Sequence, residues 1–452
     1  MSEGRKSSLY SLQSIINKLP EVKSPKRHVS FKEKFIWSGV ALIIYLVMMQ
    51  IPLHGMAGTQ ADFFGHMQYV LASQMGTLMQ LGIGPIVTSG IMMQLLTGAD
   101  LINLDLNRPD DKALFTGTQK LLTILVAFLQ GSAFVFGGVV QAPTFGIELW
   151  LVLQLVIGSM VVLFLDEMVS KFGFGSGISL FIAGSVSAQI FYQAFSPLSG
   201  EAVSGMAGAI PNFISAIAQG SPSAISDAFV RANAPDMLGV IGAIVVFLIV
   251  IYAVNMRVEI PLSYSEYGGM RGKYPIKFFY TSVIPVILSQ VVLTNFKILG
   301  GLIGGSFDEF VGSWLSPPQG IQSVAAAPLQ ALFYLVIVVL LCMGFSWLWA
   351  KMTGMGPSDV ADQLKNSGMS IPGFRKDTRI MEKMLARYIK PVALLGGATV
   401  GLLSVGADFL GALSSGTGIL LAASIIHRLY EEIAQEQLAE MFPSARRLLG
   451  DE

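Results

Sequence analysis

Ionisable side chains are scarce where a solute carrier would need them. Only 13% of the 452 residues are Asp, Glu, Lys or Arg, and the mean hydropathy is +0.63, against roughly 25% charged in soluble domains. Inside the long apolar runs, Asp408 is the one acidic residue well within a run. Carriers and ion pathways keep charges in their spans because a buried charge is costly and is retained for a function. A proton relay needs more than one titrating group, so Asp408 reads instead as an interfacial or helix-paired side chain. The single cysteine, Cys342, excludes a disulfide within the chain. The four histidines, His28, His54, His66 and His427, are scattered, and none has the i, i+4 spacing of a zinc helix. Nucleophile motifs, phosphate loops and dinucleotide fingerprints are missing too, so no catalytic residue, cofactor or metal site is expected.

What the chain has is apolar length. Ten runs, near residues 35–52, 78–97, 118–139, 148–166, 176–195, 237–256, 278–296, 329–350, 391–412 and 416–438, mostly approach the ~20 residues that a helix needs to cross ~30 Å of hydrocarbon. Counted alternately across the gaps between runs, 27 of the 29 Lys and Arg fall on one side; only Arg231 and Lys297 fall on the other. This asymmetry places both termini in the cytosol. The first run follows 34 polar residues and has no small-residue cleavage site after it, so it reads as a retained span. The tenth carries His427, Arg428, Glu431 and Glu432 in its inner half, and reads as a helix that continues into the cytosol.

The ten spans form two sets of five, and because five is odd the second set crosses with inverted orientation. The second member of each set holds a proline among aliphatics, Pro85 and Pro285. Matching interruptions point to a functional site, although prolines also make ordinary kinks relieved by neighbouring helices. Glycine, 48 residues, clusters at Gly82-Ile-Gly84, Gly173-Phe-Gly175-Ser-Gly177 and Gly416-Thr-Gly418, where small residues let backbones approach. The expected organisation is a cytosolic segment 1–34, a first half 35–195, an outer loop 196–236, a second half 237–438 with basic cytosolic loops 257–277 and 351–390, and a cytosolic tail 439–452. The outer loops 197–236 and 297–328 read as irregular connections. Gly55 to Gly76 is too polar to span; it forms either a short helix tucked back into the protein or an interfacial helix on the outer surface.

The runs Leu81-Gly-Ile-Gly-Pro-Ile-Val-Thr-Ser-Gly90, Leu165-Asp-Glu-Met-Val-Ser-Lys-Phe-Gly-Phe-Gly-Ser-Gly-Ile-Ser-Leu180 and Tyr274-Pro-Ile-Lys-Phe-Phe-Tyr-Thr-Ser-Val-Ile-Pro-Val-Ile287 resemble the SecY family of protein-conducting channels. The resemblance continues through Gly373-Phe-Arg-Lys376 and Gly411-Ala-Leu-Ser-Ser-Gly-Thr-Gly-Ile-Leu-Leu421, and Asp166-Glu167 with the following Gly-Ser-Gly looks like the archaeal and eukaryotic branch; the compact length suggests an archaeal member. It implies an all-α membrane protein of ten transmembrane helices in two pseudo-symmetric inverted halves, with an hourglass pore and a plug.

Position by position, the resemblance implies a closing ring of Ile83, Val87, Ile178, Ile182, Ile287 and Leu421. Ile83 with Val87 and Ile178 with Ile182 share helix faces at i, i+4, a spacing common in any spanning helix. A collar of methyl groups offers no hydrogen bonds, so it resists water and ions by dewetting while a polypeptide fills the gap with its own atoms. The family's plug corresponds to residues 60–75; many relatives end it with arginine where this chain has Gln74. Thr88, Gln130 and Asn295 match a polar cluster at a seam through which apolar segments, signal sequences among them, are released into lipid. Basic loops ordinarily record orientation or meet anionic lipid; by resemblance they also dock a ribosome, with Arg271, Lys273, Arg375 and Lys376 as contacts. Partners implied are a SecE-like gamma subunit and a small beta subunit, and the location is the plasma membrane, or the endoplasmic reticulum for a eukaryotic chain. A secondary transporter would share the broken helices but needs coupling groups at the midplane, and an ion channel is disfavoured by a wholly aliphatic constriction.

Overall fold

Several helices begin here where the sequence supplies a cap or a proline, and the apolar runs carry them across. The computed structural model describes residues 9–10, 13–27, 29–59, 74–98, 101–102, 104, 108–198, 205–231, 235–264, 271–303, 305–366, 369–370 and 378–441. A short α1 (Gln13–Ile16) precedes α2 (Phe31–Met48). At the start of α2, Ser30 Oγ accepts the Glu33 N–H at 3.4 Å while Glu33 Oε2 accepts the Ser30 N–H at 3.3 Å, a reciprocal cap that satisfies two end donors. There follow α3 (Gly84–Gly98), α4 (Pro109–Phe136), α5 (Phe145–Phe172), α6 (Gly177–Phe195), α7 (Ala209–Gln219), α8 (Pro222–Phe229), α9 (Met237–Asn255), α10 (Ile284–Ile303), α11 (Gly305–Trp314), α12 (Gly320–Ala326), α13 (Pro328–Met352), α14 (Pro357–Asn366), α15 (Thr378–Phe409) and α16 (Gly416–Met441).

Ten of these, α2 to α6, α9, α10, α13, α15 and α16, occupy the ten apolar runs, giving an all-α membrane protein of two sets of five. Among the described residues, six (α4, α5, α6, α9, α13 and α15) are long and apolar enough to cross a membrane by themselves. Three of the others fall short for visible reasons: α2 begins with Lys32, Glu33 and Lys34, α16 ends in a charged half, and α3 starts late within its run. In α10 the described apolar stretch is Ile284–Thr294. The chain forms two compact units, Met1–Ser187 with Ile425–Glu452, and Ala188–Ser424, whose boundaries fall within α6 and α16.

In the first unit, a core of Leu53, Leu81, Ala127, Val135, Val140, Leu151, Val152 and Leu155 joins α4 and α5 to the segments flanking residues 60–73. Those flanks run side by side: Leu53 N–H bonds to Gly76 O (2.9 Å) and Leu78 N–H to Ile51 O (3.0 Å). Gln154, within α5, clasps His54 through both its amide N–H and its carbonyl, at 2.9 and 3.0 Å. Strand β1 (Gly58–Thr59) pairs antiparallel with β2 (Val140–Gln141). The segments flanking the predicted plug are thus tied to each other, to α5 through His54 and to β2; residues 60–73 lie outside the described residues. The N-terminal segment lies along the start of α4 and the end of α5. Tyr10 Oη donates to Asp111 Oδ1 at 2.6 Å, Ile16 fills the space left by Gly117, and Lys171 pairs with Glu21 at 2.9 Å. The charged half of α16 is explained by its pairs: Lys34 with Glu436 (2.6 Å), Arg428 with Glu432 (3.7 Å) and Arg428 with Ser179 (2.7 Å).

In the second unit, α13 and α15 approach closely through small residues. A Cβ on Gly397 would sit 2.7 Å from Cys342 O, and one on Gly401 would sit 3.1 Å from Val339 Cα, which is how backbones come together in lipid. The first basic loop is not irregular. β3 (Arg257–Tyr264) pairs antiparallel with β4 (Arg271–Lys277), and β5 (Met369–Ser370) adds to β3. Ile260 and Ile276 of this hairpin pack with Val360, Ala361 and Leu364 of α14 and with Met381, Leu385, Ile389 and Val392 of α15. The two loops predicted to be outer also hold helices, α7, α8, α11 and α12, rather than irregular connections. In α7 the apolar Ile210, Ile214 and Ile217 recur at helical spacing, and Trp314 of α11 packs edge-on against Phe333 of α13 at 5.2 Å.

Candidate functional site

The six ring candidates all lie at the beginnings of four helices. Ile83 immediately precedes α3 and Val87 is in its first turn; Ile178 and Ile182 open α6; Ile287 opens α10; Leu421 is in the second turn of α16. Ile83, Ile182 and Leu421 are buried, at 1%, 4% and 0% exposure, while Val87, Ile178 and Ile287 are half-buried.

The interruptions predicted from proline are helix starts, not kinks. Pro85 and Pro285 each occupy the second helical position, where a missing N–H leaves nothing unsatisfied and the fixed φ suits a first turn. The residue three before each proline is left-handed, Gly82 at φ 52° and Ser282 at φ 54°. Val87 and Ile287 then fall two residues after their prolines. Ser282 carries no special sequence signal, and only the alignment of the two prolines points to it.

α6 and α16 are held at their first turns by carboxylates from the preceding helices. Asp166, near the end of α5, accepts the Ile178 N–H at 2.9 Å and the Ser176 hydroxyl at 3.4 Å on Oδ1. Asp408, near the end of α15 and 6% exposed, accepts the Gly416 N–H at 2.7 Å. Asp408 is therefore a helix-paired group. Around it, Ser404 Oγ and Thr417 Oγ1 share a hydrogen at 2.6 Å, and Gln290 Nε2 donates to Thr417 Oγ1 (3.5 Å) and Tyr334 Oη (3.4 Å). This network joins α10, α13, α15 and α16, with Gln290 one turn beyond Ile287 and Thr417 one turn before Leu421. Sequence reasoning missed it because its members are ordinary polar residues far apart in the chain.

A cavity of about 250 Å³ lies beside the turn between α15 and α16, bordered by Gln193, Arg231, Asp236, Asp408 and Ser414. Its charges serve the local fold. Asp236 caps α9 through the Gly239 N–H at 2.6 Å, and the Arg231 guanidinium donates to Met206 O and Pro235 O at 3.1 and 3.3 Å.

Of the seam candidates, Thr88 and Gln130 are half-buried on α3 and α4, and Asn295 belongs to α10 with its side chain outside the described residues. The hydroxyl pair that ties α3 to α4 is Ser89 with Thr123, at 2.5 Å, one residue beyond Thr88 and two turns before Gln130. Of the docking candidates, Lys273 is exposed on β4 and pairs with Glu259 at 2.5 Å. Its hydrogen bond and charge hold the Glu259 carboxyl below the usual carboxylate range. Arg271 lies in β4 with its side chain outside the described residues, and Arg375 and Lys376 lie outside them altogether. Among the described residues no group of three or more His, Cys, Asp or Glu could hold a metal ion.

Broken helices at matching places in two sets of five, opening on aliphatic side chains, match a known family along most of the chain. The SecY family model matches residues 77–430, and the model for the plug domain of Sec61p matches residues 43–76. The chain belongs to the SecY family. The protein translocase subunit SecY of Pyrococcus furiosus is 42% identical over 99% of this chain and 100% of its own length. That of Methanothermobacter thermautotrophicus is 43% identical over 97% and 98%. Among solved structures, a protein-conducting channel superposes with a TM-score of 0.79 at 38% identity, covering 95% of this chain and 98% of that one. Sec61 in the canine ribosome-channel complex from the endoplasmic reticulum gives 0.77 at 38% identity over the same shares. This SecY-family chain is a multi-pass membrane protein and a protein-conducting channel subunit with a plug region.

Proposed function

We propose that Ile83, Val87, Ile178, Ile182, Ile287 and Leu421 form the ring that seals the resting channel, with residues 60–75 as the plug beneath it. The observation that carries this reading is their common placement in the opening turns of four helices, two of which start at matched prolines. Helix starts fixed by caps and prolines give aliphatic side chains a defined position. Aliphatic side chains alone hold no hydration shell, so ions meet a dewetted constriction while an unfolded polypeptide can thread it. Reconstituted vesicles test the ring. Exchange of Ile83, Val87, Ile182 and Leu421 for Ser raises resting ion conductance; unchanged conductance would remove the ring from the account.

The same reading places a lateral exit for apolar segments between polar groups that include Thr88, Gln130 and Asn295. Interhelical polar contacts average about 0.6 kcal/mol, whereas ten Leu-like residues at roughly −0.5 kcal/mol each gain several times that on entering lipid. A signal segment therefore outweighs the latch. Energy comes from a partner, because this chain binds and conducts polypeptide without catalysing a reaction. The cations of 257–277 and 351–390, among them Arg271, Lys273, Arg375 and Lys376, dock a ribosome on the cytosolic face, a reading supported by the relative that is held in a ribosome-channel complex. Both termini are cytosolic, the membrane is an archaeal plasma membrane, and a SecE-like gamma subunit and a small beta subunit complete a heterotrimer.

A further inference from the structure

We infer that Asp166 and Asp408 are equivalent positioning residues, one in each half, that set the height of ring side chains by tying a helix start to the end of the helix before it. The inference deepens the ring reading and rests on it. Spans 4 and 5 of the first half correspond to spans 9 and 10 of the second, and the two corners have the same parts. Each opens its second helix with a Ser-Gly pair, Ser176-Gly177 and Ser415-Gly416. Each glycine lies so close to the preceding helix that a side chain has no room: a Cβ on Gly177 would be 2.6 Å from Asp166 Cα, and one on Gly416 would be 1.9 Å from Ser404 O. Each aspartate accepts a backbone N–H from the first two residues of the new helix, Ile178 at 2.9 Å and Gly416 at 2.7 Å.

Counting five residues on from each glycine gives Ile182 in one half and Leu421 in the other. Both ring members thus stand at the same height above the same device. The hydrogen-bonded carboxylate satisfies an end donor that water cannot easily reach, and the glycine fixes the contact distance. The helix cannot slide along its neighbour without breaking both. The local sequence conceals this equivalence, because the corners differ in length, with Asp166 to Gly177 separated by more residues than Asp408 to Gly416.

The test uses the full chain with its co-purifying subunits, reconstituted into vesicles. Asp166→Ala and Asp408→Ala each remove the acceptor. A cap worth about 1 kcal/mol corresponds to about a fivefold rise in resting ion conductance. Asp166→Asn and Asp408→Asn keep an acceptor oxygen without the charge and are expected to stay tight, a rescue that a need for the charge itself would not show. Leu421→Ser serves as the ring control. If Leu421→Ser leaks while both alanine variants stay closed, the positioning role falls and the ring stands; if none of them leaks, the ring reading falls and this inference with it. Asparagine variants that leak as much as alanine overturn the cap. Should the alanine proteins fail to assemble, hydrogen exchange at Ile178 and Gly416 in the asparagine proteins decides. Slow exchange with a closed channel supports the inference, and fast exchange or a leak ends it.

Discussion

Gly158 of α5 lies against the Leu78 carbonyl so closely that a Cβ there would be 2.3 Å from the oxygen. The irregular segment before α3 therefore rests on the backbone of the fourth span, not on a side chain that could yield. Gly158→Ala forces the two backbones apart, and overpacking of this kind costs about 1–3 kcal/mol. Thermal melting in detergent is expected to show that loss for Gly158→Ala. Gly39→Ala and Gly146→Ala, where nothing lies within 4 Å of a built Cβ, are expected to melt at or above the parent temperature.

Ser282 stands where Gly82 stands in the other half, left-handed and three residues before a proline, yet it bears a side chain. A left-handed L-residue costs about 1–2 kcal/mol, and the greater unfolded freedom of glycine returns part of that. Ser282→Gly is therefore expected to stabilise the protein by about 0.5–1 kcal/mol. Gly82→Ala, at a buried position, is expected to destabilise it by at least as much. A chemical denaturation series on the two single variants measures both signs; a destabilised Ser282→Gly protein would mean that the serine side chain makes a contact worth more than the strain.

Much of this architecture was legible in the sequence, because apolar length is a local property. The ten runs became ten helices, Pro85 and Pro285 marked matching interruptions, and the charged half of α16 continued as helix because Lys34, Ser179 and its own i, i+4 partners receive it. The hairpin β3–β4 escaped notice for a physical reason. Its inward residues Ile260, Tyr274 and Ile276 alternate with charges, but Pro261 and Pro275 break the strand signal, and the core they complete comes from α14 and α15, about a hundred residues away in the chain. Asp408 was singled out as a lone carboxylate, but its partner, a glycine N–H, has no side chain to announce it. The ring itself was named through resemblance; the i, i+4 spacing of Ile83 with Val87 would not have distinguished it from any spanning helix.

Glu259 and Lys273 give the hairpin a pH dependence. The Lys273 ammonium depresses the Glu259 carboxyl, so this pair supports the folded hairpin above the ordinary carboxylate range and the support disappears as pH falls through the depressed value. In Lys273→Ala the Glu259 titration is expected to return toward the ordinary range. Carboxylate titration followed by NMR on isotope-labelled protein measures it, and added salt is expected to shrink the difference, since both side chains are exposed. Equal midpoints in the two proteins at low salt would show that the pair does not persist in solution.

Leu385 is fully buried among Ile260 and Ile276 of the hairpin, Val360 and Leu364 of α14, and Ile389 of its own helix. Truncating a fully buried leucine costs about 2–5 kcal/mol, more than a two-stranded ribbon can supply alone. Leu385→Ala is therefore expected to release the hairpin while the spans, whose packing lies elsewhere in α15, stay folded. Hydrogen exchange is expected to speed up over 257–277 and not over α13. Because the hairpin presents Lys273, ribosome binding by the reconstituted channel is expected to weaken in the same variant and to lose part of its salt dependence, while ion tightness at rest is retained. Loss of binding without faster exchange in the hairpin would separate the docking site from this module and place it in the second basic loop alone.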